Sequence, residues 1–71
     1  MRIIKPTDKN RLTVAATIYD MPAAMDIAVR HLNGYTQTEG FPFHDFEVMP
    51  AASWYDSRLK EYRYTFRFRW F

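Results

Sequence analysis

The chain contains no cysteine, so disulfides and thiolate metal sites are excluded from the devices that usually hold small folds together. Histidine is nearly absent too: there are only His31 and His44, and the carboxylates nearest them in sequence, Asp26 and Asp45, form no recognised metal or triad spacing. The two glycines, Gly34 and Gly40, make no phosphate-cradling loop, and Ser53 and Ser57 stand in no nucleophile elbow. No run approaches the ~20 consecutive apolar residues of a membrane span. The start, Met1-Arg2-Ile3-Ile4-Lys5-Pro6, lacks the apolar core of a signal peptide. These absences lead to an expectation of no metal, no cofactor, no export, no membrane partner and a cytoplasmic location. Charge of one sign is also sparse, for a formal net charge of +2 permits a nucleic-acid partner without demanding one.

Length sets the next bound. With 71 residues the chain is expected to form a single compact domain over 1–71, burying only about 60% of the surface its unfolded form exposes. So short a chain is expected to lack the walls for a substrate pocket of several hundred Å³, so it is not expected to be an enzyme. What it has in excess is rings: two Trp, five Tyr and six Phe, 18% of the sequence. Either the core is built of them or some face a partner.

Hydrophobic periodicity supplies the elements. Arg2 to Lys5 reads as a short strand, followed by the turn-forming connector Pro6-Thr7-Asp8-Lys9-Asn10. Residues 11 to 19 alternate, with Leu12, Val14, Ala16 and Ile18 on one side, as a half-buried strand does. Asp20 stands at an N-cap position with Pro22 just inside. A helix is predicted from Met21 to Asn33, with Met21, Ala24, Met25, Ala28, Val29 and Leu32 on one face and Gly34 as its left-handed stop. A long ring-bearing connection spans 34 to 44. A strand from Asp45 to Trp54 follows, with Phe46, Val48, Ala52 and Trp54 on one parity; Pro50 inside it predicts an edge position or a bulge. After a polar connection at 55 to 60 comes the clearest alternation in the chain: Tyr62, Tyr64, Phe66, Phe68 and Trp70 against Arg63, Thr65, Arg67 and Arg69. The fold class is therefore α+β, a small antiparallel-rich sheet of three or four strands with one helix across one face, in the order (β)βαββ. Strand order stays open at this point.

Three expectations of function follow. A helix of about 13 residues is ~20 Å long, whereas the last strand spans ~30 Å, so one helix leaves apolar sheet surface uncovered. Tyr35, Phe41, Phe43 and His44 of the loop, with Trp70 and Phe71 at the chain end, are the candidate partner-binding residues of a non-enzymatic protein-binding module. In size and strand-helix-strand order the chain resembles several kinds of small phage-encoded proteins that bind and block host machinery, such as RNA polymerase or a CRISPR effector complex. That resemblance covers architecture alone and implies an inhibitor; no site residue is carried over from it. The alternative is a nucleic-acid-binding domain whose basic face, Arg58, Arg63, Arg67 and Arg69, lies on phosphates. Against it, strict alternation turns rings and arginines to opposite faces, and Glu47 and Asp45 fall roughly opposite Arg67 and Arg69 respectively, as in ordinary cross-strand ion pairs. The third expectation is a homodimer formed through the C-terminal strand, a hazard unless that strand lies inside the sheet.

Overall fold

The computed structural model describes residues 1–4 and 9–71. Lys5 and the Pro6-Thr7-Asp8 part of the first connector lie outside the described residues. Four strands and one helix follow in the order β1 (Arg2–Ile4), β2 (Arg11–Ala16), α1 (Met21–Thr36), β3 (Phe46–Asp56) and β4 (Glu61–Trp70). The strands form one sheet in the order β1-β2-β4-β3, every adjacent pair antiparallel. The expected α+β architecture is observed, and the open question of strand order is settled. The crossover through α1 carries the chain two places along, and β4 returns to fill the gap. The C-terminal strand is thus interior, with both edges paired; the edge strands are the short β1 and the long β3.

The aromatic row of β4 faces the helix. Tyr64, Phe66 and Phe68 are buried with Leu12, Val14 and Ala16 of β2 and with Ala24, Ala28 and Leu32 of α1. Alanines at 24 and 28, one turn apart, let the helix lie close on the rings. Full burial of a ring such as Phe66 contributes roughly 1.5–3 kcal/mol. Ile27, rather than the expected Val29, completes the packed face with Met21 and Met25.

Both ends of the helix differ instructively from expectation. At the start, Asp20 caps as predicted, accepting from the Ala23 amide at 3.1 Å. The preceding strand stops at Ala16 instead of running to Tyr19, and Ile18 is left 66% exposed. The reason lies in β4: the hydroxyl of fully buried Tyr64 accepts from the Asp20 amide at 2.8 Å and donates to the Ile18 carbonyl at 3.3 Å, which bends the chain off the sheet. At the far end Gly34 does not stop the helix, which continues to Thr36. The glycine with a left-handed backbone is Gly40, at φ 87°. Continuing the helix carries the Tyr35 ring onto Phe41 and Trp70, at centroid distances of 5.8 and 5.9 Å.

β3 is both an edge strand and bulged, the two alternatives that Pro50 predicted. Pro50 lies opposite Phe66 and Ala52 opposite Thr65, so Ala51 is the additional residue. One extra residue reverses the parity beyond it. Trp54, expected on the face of Phe46 and Val48, lies instead opposite Arg63 on the face away from the helix. Tyr55 takes the helix side and packs on Tyr62 at 4.8 Å. The strand also runs on to Asp56, shortening the connection to a tight turn in which Lys60 adopts φ 55°.

Candidate functional site

Four of the six expected partner-binding residues meet at one end of the sheet. Tyr35 from the last turn of α1, Phe41 and Phe43 from the following loop and Trp70 from the end of β4 form a continuous ring cluster. Phe41 lies 4.9 Å from Trp70 edge-on, and Phe43 lies parallel to Trp70 at 6.4 Å. Phe46 and Phe68 support Trp70 from below, each at 5.6 Å. The loop holds this shape through local bonds. The Thr38 amide donates to the Tyr35 carbonyl, the Phe41 amide to the Thr38 carbonyl, and the Thr38 hydroxyl to the Gly34 carbonyl. At its end the Asp45 and Phe71 peptides exchange two bonds of 3.0 Å.

These rings do not seal the core. They wall an open-mouthed hollow of about 450 Å³ with Leu12, Leu32 and Phe68 beneath and Lys9 and His31 beside them. The hollow is open to solvent rather than enclosed, and rings from helix, loop and strand end together supply its walls. Tyr35 and Phe43 remain 41% and 38% exposed at its rim. His31 lies edge-on to Tyr35 at 5.4 Å, and its Nε2 is buried with no hydrogen-bond partner among the described residues. Histidine scarcity in the sequence drew attention away from it, and the signal that would have found it is its one-turn spacing to Tyr35.

The other two expected contact residues stand apart. His44 is exposed and is not part of the cluster. Phe71 shares the parity of Arg69 and lies on the opposite face, under the Arg69 guanidinium at 5.3 Å.

The basic face is also redistributed. Arg69 pairs with Glu47 at 3.0 Å, directly across from it, which corrects the expected register by two residues, since Glu47 was expected against Arg67 and Asp45 against Arg69; an exposed pair of this kind contributes at most about 1 kcal/mol. Asp45 is opposite Phe71 and Met49 opposite Arg67, so Arg67 has no acid across from it. Its other neighbour is Arg11 on β2. Arg63 donates to Glu61 at 3.0 Å, and Arg2 meets the same carboxylate through two bonds of 2.7 and 3.1 Å. Hydrogen bonds from Arg2 and then Arg63 pull the Glu61 pKa down to about 2 from its ordinary 4.5. Arg58 sits in the β3–β4 turn, its amide donating to Asp56 Oδ1 at 3.0 Å.

No group of three or more acidic or histidine side chains able to hold a metal ion occurs among the described residues. No helix among them is long and apolar enough to cross a membrane. The fold and this end of it define a small α+β domain presenting a half-open aromatic recess. No protein-family model matches the chain, and neither a curated protein nor a solved structure matches it.

Proposed function

We propose that the protein is a non-enzymatic protein-binding module whose contact is the aromatic recess bounded by Tyr35, Phe41, Phe43 and Trp70. The observation that carries this reading is that rings from three separate elements are held together and still leave an unfilled hollow with exposed rims. Apolar ring surface left facing water in such a hollow is surface that a partner's apolar side chain would bury. The occupant that fits is one large side chain of a partner protein, inserted as an anchor. An aromatic side chain suits it best, since a further ring can lie edge-on to those of Phe41 and Trp70. A domain of this size acts on a larger assembly by occluding a surface, the inhibitory mode that its size and element order imply, and the cytosol is the compartment proposed for it.

Combinatorial peptide display against the immobilised protein tests this reading. Enriched sequences should share a bulky aromatic anchor, and Phe43→Ala or Tyr35→Ala should abolish their binding while leaving the circular-dichroism spectrum unchanged. Enrichment without a shared anchor, or binding indifferent to both substitutions, would overturn it.

One observation favours the nucleic-acid reading as a second choice. The bulge brings Trp54 onto the face that carries Arg11, Arg63 and Arg67, so a ring and cations do share a face there. Anisotropy titrations of labelled single-stranded DNA and RNA at about 50 and 200 mM salt address it. Binding that collapses at the higher salt and is lost in Arg11→Gln/Arg67→Gln supports it, and absence of binding at the lower salt removes it.

A further inference from the structure

β3 is an exposed edge whose two halves are differently protected. Native edges are blunted by charge, proline, bulges or brevity. The first half of β3 carries Glu47, Pro50 and the bulge. From the bulge onward the segment Ala51-Ala52-Ser53-Trp54-Tyr55 has no charge and no proline, and all five residues are exposed. β1, the other edge, is only three residues long.

The phase of the hydrogen-bond ladder shows which peptide groups are free. Asp45 and Phe71 exchange both bonds, and Phe68 donates to Asn10 on the β2 side. Alternate β4 residues therefore turn to β3, namely Arg69, Arg67, Thr65 and Arg63. Their partners beyond the bulge, Ala52 and Trp54, are engaged with β4. Ser53 and Tyr55 point their amides and carbonyls away from the sheet, into the free edge.

We infer that this segment pairs with the same segment of a second copy, antiparallel and centred on Ser53, to give a continuous eight-stranded sheet. The two-fold placement sets Ser53 opposite Ser53, both with outward peptide groups, as a hydrogen-bonded pair requires. It sets Trp54 opposite Ala52 and Tyr55 opposite Ala51. Each ring thus meets a methyl group in the other copy, and Trp54 and Ala52 lie on the same face, away from the helix, by their register opposite Arg63 and Thr65. Large against small at every ring position is a self-complementary pattern. Centring on Trp54 would put two indoles at one point and use a peptide already bonded to β4. The bulge ends the pairing at Ala51, so the contact has a defined length. Its surface is separate from the aromatic recess, and the inference does not rest on the recess reading.

Sedimentation equilibrium from about 1 μM to 1 mM, read as molar mass, tests the pairing. The chain should form dimers within this range. Ser53→Pro removes the outward amide without touching the β3–β4 ladder and should leave a folded monomer. Ala52→Trp, which sets ring against ring in two equivalent places, should weaken the dimer by about tenfold or more. The double variant Ala52→Trp/Trp54→Ala exchanges knob and hole and should restore it. A wild-type chain that stays monomeric to 1 mM overturns the inference, as does a dimer that survives Ser53→Pro. Should Ser53→Pro fail to fold, by circular dichroism, the knob-and-hole exchange decides: no recovery in the double variant counts against the pairing.

Discussion

The two halves of β3 pair with the same strand and meet different fates. From Phe46 to Val48 the residues alternate between half-buried and exposed, because the helix and the ring cluster lie over one face; from Met49 to Tyr55 every residue is exposed. Beyond the bulge the helix is replaced by the rings of Tyr19, Tyr55 and Tyr62, which meet each other at 4.8–5.6 Å but leave Tyr55 50% exposed. Ladder hydrogen bonds decide where a strand runs. A second layer decides whether its side chains leave water.

The comparison breaks most visibly where the halves join. Phe66, opposite Pro50 and fully buried, supports both, so Phe66→Ala should lower unfolding free energy by about 3–5 kcal/mol in urea titration. A loss near 1 kcal/mol would mean that the halves are held independently. A finer test sets the halves against each other. Val48→Ala should cost about 1–2 kcal/mol, whereas Trp54→Ala, at 46% exposure, should stay within about 0.5 kcal/mol when measured on dilute protein. Equal costs would erase the distinction.

The smallest effect depends on pH and concerns what holds the uncovered half. Glu61, opposite Asp56 at the hairpin end, ties β4 to β1 through Arg2. Its folded pKa, about 2, lies below the ordinary 4.5, so its stabilising contribution is complete above 4.5 and fades as pH falls through 2. The difference in thermal midpoint between wild type and Glu61→Gln should therefore be greatest at neutral pH and shrink between pH 4.5 and 2. A difference constant across that interval would show that the carboxylate charge is not what joins the two strands.

Local pattern was a good guide wherever one rule governed. The alternation of Tyr62 to Trp70, the Asp20 cap and the edge or bulge at Pro50 were all legible, since each depends on a few neighbouring residues. Gly34 misled because a glycine is permitted, not obliged, to leave the helix; the docking of Tyr35 on Phe41 and Trp70 accompanies its continuation. The parity of Trp54 could not be read across the bulge, because alternation says where a pattern is interrupted but not how many residues the interruption absorbs.

In the candidate site, four ring positions were found by their excess over what one helix can cover. His31 has no metal or triad spacing to mark it, and Phe71 and His44 were grouped with the partner-binding rings by nearness in sequence alone. Sequence by itself determined the α+β class, the aromatic and cationic sides of the last strand and the presence of surplus rings, because side-chain period and composition are local properties. Tertiary structure alone decided that β4 fills the gap between β2 and β3, that Arg67 faces Arg11 while Arg69 finds Glu47, and that rings from helix, loop and strand end close around a hollow. Those are pairings between residues far apart in the chain, set by register and by a single extra residue at the bulge.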